Sequence, residues 1–146
     1  MIPYEINIDP KEWGSYFWHA MEAIACTLTI KNKEKIYTFF ENLTETIPCQ
    51  KCRSHYQLYF KEYDPKKYME NCVTLLMWLY RLKRQIKQRQ QTELETSFKD
   101  YLEYLMTKYD IPEIQYHMDK NEEFRVLTNP RIEKKYHLKE YYSLLK

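Results

Sequence analysis

The tightest local constraint on this chain is the segment Ile47-Pro48-Cys49-Gln50-Lys51-Cys52-Arg53-Ser54-His55-Tyr56, and within it Pro48. Proline lacks an N–H and holds the residue before it out of the helical region. The helical apolar pattern that precedes it must therefore stop, and a new helix must begin. C-x-x-C spacing then predicts Cys49 in the first turn of that helix and Cys52 one turn further on. Backbone N–H groups without partners and the positive helix end surround the first sulfur, an environment that favours a thiolate. Arg53 adds positive charge beside it. A disulfide spanning two residues is short and accessible, which suits exchange better than stapling. A redox-active pair is the first reading.

Two other readings stand beside it. C-x-x-C with His55 after it is also half of a zinc site, which needs a second clustered half. The remaining cysteines, Cys26 and Cys72, stand alone, and His19, His117 and His137 are scattered, so no metal is expected. Alternatively, Cys49 and Cys52 are two inert thiols. A thioredoxin-type site requires a preceding strand in a βαβ unit, and no alternating run precedes this one. Whatever its chemistry, the motif sits in an all-helical frame.

A chain of 146 residues with a formal charge of +2 and a pI near 8.2 is one near-neutral domain with room for a core. Nothing in that balance calls for a nucleic-acid partner. The local exception is Arg81-Leu82-Lys83-Arg84-Gln85-Ile86-Lys87-Gln88-Arg89, with five basic residues and no acid. It reads first as an exposed helix end favoured by the dipole; in a flavoprotein it could meet a pyrophosphate. No apolar run reaches membrane-spanning length, and Met1-Ile2-Pro3-Tyr4-Glu5 lacks the basic opening of a signal peptide. A soluble, cytosolic protein is expected. Four cysteines are too few for a disulfide scaffold of this length.

Cap signals divide the chain. Asp9-Pro10-Lys11-Glu12 starts a helix carrying Trp13, Phe17, Trp18, Met21, Ile24, Ala25 and Leu28 on one face. Lys33 to Thr46 repeats the helical period with Ile36, Phe39, Phe40 and Leu43, and the C-x-x-C helix packs through Tyr56, Tyr59 and Phe60. Asp64-Pro65 predicts the start of a longer helix with Met69, Cys72, Val73, Leu76, Leu79, Tyr80 and Lys83 as its inner stripe. Thr92-Glu93-Leu94-Glu95 reads as a capping box for a fifth helix with Leu94, Phe98, Tyr101, Leu102 and Leu105 inward, broken at Ile111-Pro112. Beyond that the pattern loosens, with a short helix expected over Leu138 to Leu145. The expected fold is all-α: a four-helix bundle with a fifth helix and a C-terminal extension. Residues 1–110 form the helical domain, and 111–146 the extension, whose aromatic and aliphatic side chains should pack on the bundle or a partner.

The order Trp13-Gly14, Trp18, a helix pair, then Leu43-(x)4-Pro48-Cys49-x-x-Cys52-Arg53-x-His55-Tyr56 resembles the Erv/ALR sulfhydryl oxidases. The likeness is closest to the short forms of large cytoplasmic DNA viruses and covers roughly residues 10 to 90. The resemblance implies an FAD-linked thiol oxidase, with Trp13, Gly14, Trp18 and His55 toward the cofactor and Cys49 and Cys52 as the catalytic pair. Electrons would pass from a substrate dithiol to the pair, then to flavin, then to oxygen, giving hydrogen peroxide. Cys49 would take the attack and Cys52 would face the flavin. It further implies a homodimer through the first two helices, a dithiol protein or thiol–disulfide carrier as partner, and a place in the infected-cell cytoplasm or the virion.

Two motifs depart from the family pattern. Glu22 stands where the family places a flavin-touching histidine, with Met21 for a leucine. Leu79-Tyr80-Arg81-Leu82-Lys83 stands for H-N-x-V-N, keeping only the apolar position at Leu82. These departures support an alternative, a flavin-free member serving as a structural or protein-binding module. Cys26 and Cys72 are either inert or bridge the first and fourth helices.

Overall fold

The computed structural model describes residues 2–94 and 96–120. Six α-helices and one 3-10 turn account for the regular structure among them: α1 Pro10–Cys26, α2 Lys33–Thr46, α3 Gln50–Glu62, the turn Pro65–Tyr68, α4 Cys72–Arg89, α5 Phe98–Tyr109 and α6 Glu113–Lys120. The chain is all-α, as expected. Helix α1 packs on α4 and α2 on α3, while α5 and α6 both close against α4.

The first boundaries are set by their caps. The Asp9 carboxylate accepts the Lys11 N–H at 3.0 Å with Pro10 opening α1. Two later boundaries differ from the sequence expectation. Asp64-Pro65 opens only the 3-10 turn, and the long helix begins seven residues later, at Cys72. Asn71 forms the stronger start there: its side chain accepts the N–H groups of Val73 and Thr74, and the Thr74 hydroxyl accepts the Asn71 N–H. Nor does Thr92 cap α5. Its hydroxyl donates back to the Lys87 carbonyl at the end of α4, and Ser97 caps α5 by accepting the Asp100 N–H. Helix α5 ends at Asp110, whose left-handed backbone (φ 52°) closes the last turn.

Helix α4 is the axis of the molecule. Every residue from Cys72 to Leu82 is buried, so the single expected stripe is in fact a whole circumference. Trp78, off that stripe, is the centre: Phe40, Tyr56, Tyr59 and Phe60 surround its ring, with centroids 5.2–6.5 Å away. Its indole N–H donates to the Tyr63 carbonyl, and the Tyr59 and Tyr56 hydroxyls donate to the Trp78 and Phe40 carbonyls. Each buried donor in this aromatic layer thus has an acceptor, as burial demands. Helix α6 has no counterpart in the sequence expectation; Ile114 and Met118 fix it to the core. The expected helix over Leu138 to Leu145 and most of the extension lie outside the described residues.

Candidate functional site

Cys49 is the N-cap of α3, one position before the helix, and Cys52 is its third residue. The cap position matters because its side chain can accept a free N–H of the first turn. The Cys49 sulfur does so, taking the Cys52 N–H at 3.3 Å, and the two sulfurs lie 2.6 Å apart as free thiols. The pair is therefore held at the approach from which a disulfide closes. Burial, then the hydrogen bond to Cys49 and its charge, pushes the Cys52 thiol up to about 11.

The segment ahead of α1 braces this turn. Ile8 donates its N–H to the Pro48 carbonyl at 2.8 Å, the Asn7 side chain accepts the Gln50 N–H at 2.6 Å, and Arg53 pairs with Glu5 while also donating to the Ile47 carbonyl. Trp13 joins the brace, its indole N–H donating to the Ile8 carbonyl at 2.9 Å. This contact links the start of α1 to the cysteine turn, and it has no signature in sequence spacing.

Between α1, the start of α3, the second half of α4 and α5 lies a cavity of about 1170 Å³. Small-molecule sites run to about 1,000 Å³ at the upper end, so this one has space for a large ligand. Trp13, Gly14, Trp18, Cys52 and His55 all line it, whereas Cys49 does not. The five residues come from two helices and meet only through the fold. A Cβ built on Gly14 meets nothing within 4 Å, so the glycine opens onto empty space. Burial, reinforced by the charges of Arg89 and Lys51, lowers the His55 pKa.

Of the remaining walls, Tyr101 and Lys51 have no assigned role in the sequence reading, whereas Glu22, Lys83, Lys87 and Arg89 come from the departing motifs and the basic cluster. Tyr80, Leu82 and Lys83 of the departing fourth-helix segment line the cavity, while Leu79 and Arg81 are buried elsewhere. Arg81 corrects the reading of the basic cluster as an exposed helix end: it is 2 % exposed, its guanidinium 3.8 Å above the Tyr63 ring. Lys83 sits between the Trp18 and Tyr101 rings, at 5.4 and 5.8 Å. Lys51, Lys87 and Arg89 also line the cavity, Lys51 and Arg89 with exposed side chains. Glu22 is buried and lines it too. Cys26 does not line the cavity but lies near Glu22: burial first, then the charges of Cys72 and Glu22, push its thiol up to about 12, and burial raises Cys72 to about 11. Both are free. Among the described residues, no three His, Cys, Asp or Glu side chains gather as a metal site, and no helix is long and apolar enough to cross a membrane.

A model of the Erv1/Alr family matches residues 11–110, from the start of α1 to the end of α5. The chain is 33 % identical over 60 residues to a "probable FAD-linked sulfhydryl oxidase" of Acanthamoeba polyphaga mimivirus, covering 38 % of this chain and 42 % of that protein. The chain thus spans about two fifths of the length of that relative. No solved structure matches. With a family match that runs through most of the chain and takes in the cysteine turn and every helix around the cavity, the protein belongs to the Erv1/Alr family.

Proposed function

We propose that the chain is an FAD-linked thiol oxidase whose redox-active pair is Cys49 and Cys52. The observation that carries this reading is the placement of the pair at the wall of a large aromatic cavity, with Cys52 on the cavity side. The cavity fits the cofactor: aromatic faces from Trp13, Trp18 and Tyr101 suit a flat ring system, and Lys51, Lys87 and Arg89 suit a pyrophosphate. Trp13, Gly14, Trp18 and His55 are the proposed contacts.

A substrate thiolate attacks the Cys49 sulfur of the oxidised pair, forming a substrate–Cys49 disulfide and releasing the Cys52 sulfur with the bonding electrons. The second substrate thiol attacks its own bonded sulfur, forming the substrate disulfide and releasing Cys49. The released Cys49 sulfur stays at the start of α3, where it accepts the Cys52 N–H. When bound, FAD supplies the two-electron step to oxygen, giving hydrogen peroxide, that a cysteine pair alone cannot take. Aromatic walls and the brace from Ile8 and Asn7 keep the turn ordered against the cavity. Dithiol-bearing proteins are the proposed substrates, in the cytoplasm of an infected cell. Association of two copies through α1 and α2 is in keeping with the exposed Tyr16 on α1 and the exposed Ile30 in the connection between the two helices.

Oxygen consumption with dithiothreitol tests the reading. Cys49→Ser and Cys52→Ser should each abolish turnover while the protein stays folded, because neither residue is in the fully buried core; activity near wild type in either variant would contradict the assignment. The flavin-free reading is favoured by Glu22 and by the lost H-N-x-V-N positions, and it requires a colourless protein.

A further inference from the structure

The segment that braces the cysteine turn carries a row of uncovered apolar side chains. Ile2, Tyr4, Ile6 and Ile8 are between 47 and 67 % exposed. They alternate with residues that hold the segment down: Glu5 pairs with Arg53, and the Asn7 side chain accepts the Gln50 N–H. Single apolar side chains at a surface are ordinary, but several gathered in one short segment mark a contact surface. The row is also uncharged. Glu5 is the one charged residue from position 2 to position 8, and its carboxylate is taken by Arg53.

The cysteine turn fixes where this row lies. Ile8 donates its N–H to the Pro48 carbonyl and Asn7 accepts from Gln50, so the segment is tied to both neighbours of Cys49. Cys49 is half-buried and does not line the cavity, so an attacking thiol reaches it from outside, beside this segment. We propose that the row docks the apolar flank of the protein substrate, a polypeptide that carries its reduced cysteines among apolar side chains, as it delivers a thiol to Cys49. The inference rests on the thiol oxidase reading above. Cysteine is among the most buried residue types, so its neighbours in a folded protein are largely apolar. A chain whose disulfides are still unmade exposes those neighbours together with its thiols. An uncharged apolar row beside the attacked sulfur fits such a segment and offers a charged one nothing to pair with. The exchange itself is unchanged: the substrate thiolate bonds to the Cys49 sulfur, and the Cys52 sulfur leaves with the electron pair.

The test uses two peptides with the same Cys-x-x-Cys pair, one flanked by leucines and one by serines. Wild type and the combined variant Ile2→Ser, Tyr4→Ser, Ile6→Ser are compared on both. Wild type should oxidise the leucine peptide with kcat/KM roughly 10-fold or more above the serine peptide, the difference lying in KM. The variant should lose that preference while its dithiothreitol turnover, melting temperature and oligomeric state match wild type. Calorimetry with a leucine peptide whose cysteines are replaced by serine reads the surface without turnover, and its binding should weaken by a similar factor in the variant. Equal kcat/KM for the two peptides in wild type, or a preference kept by the variant, would overturn the inference and leave the oxidase reading standing. A variant that also loses dithiothreitol turnover would make the row part of the frame of the cysteine turn, and one with a changed oligomeric state would make it an interface between copies; either would overturn docking. A wild type that binds the cysteine-free leucine peptide more tightly than the variant does, yet oxidises no dithiol, would keep the surface and contradict the oxidase reading.

Discussion

Gly14 shows how a single residue separates folding from binding. It sits inside α1, where glycine costs helix stability, and a Cβ there would enter open cavity. Gly14→Ala should therefore stabilise the cofactor-free fold by up to about 1 kcal/mol while weakening FAD binding, because the added methyl takes cofactor space. Melting temperature and FAD affinity, measured on the same variant, should move in opposite directions. His55 offers a second test. Its folded pKa is lowered, so the unfolded chain binds a proton that the folded chain refuses. The stability this residue contributes is complete above its ordinary value of about 6.5 and is lost as pH falls below it. Thermal melts between pH 8 and about pH 5 should show a steeper loss in wild type than in His55→Gln; parallel curves would contradict the placement. The site residues legible in the sequence are those tied to a local motif, such as Cys49 and Cys52 beside Pro48. Tyr101, brought to the cavity on α5, has no local signature of a place in the site.

At the scale of elements, competition between caps decides the outcome. Asp64-Pro65 and Thr92-Glu93 both carry start signals, yet each yields to a later residue. Asn71 satisfies two N–H groups and exchanges a third bond with Thr74. The Thr92 hydroxyl is already engaged at the end of α4. Local propensity identifies candidates, and the number of backbone groups satisfied selects among them. Asn71→Ala should cost about 0.5–2 kcal/mol, read as a lower melting temperature, whereas Asp64→Ala should cost less because Asp64 caps only a short turn. Helix α4 shows the other limit of sequence reasoning. An apolar stripe fixes one inward face, but α1, α5 and α6 also close on α4, rings from α2 and α3 surround Trp78 and the Tyr63 ring covers Arg81, so Leu75, Met77, Trp78 and Arg81 are buried as well.

The whole molecule places an aromatic core layer around Trp78 beside a cavity lined by the second half of α4 and reached from the cysteine turn by Cys52. The sequence pattern yields the all-helical class and the order of the first five helices, because caps and apolar periodicity are local. It does not yield the cavity, which is formed by residues of α1, α3, α4 and α5 together, nor α6, whose two buried anchors are too few to stand out. In the proposed reaction, electrons enter through Cys49 and Cys52 and reach a flavin held in that cavity. The visible spectrum of the purified protein, before and after a dithiol is added without oxygen, reads that route from end to end. A bound flavin band should bleach on addition, return in air, and persist unbleached in Cys52→Ser. A protein that stays colourless when FAD is supplied, or a flavin that bleaches equally in Cys52→Ser, would contradict the route.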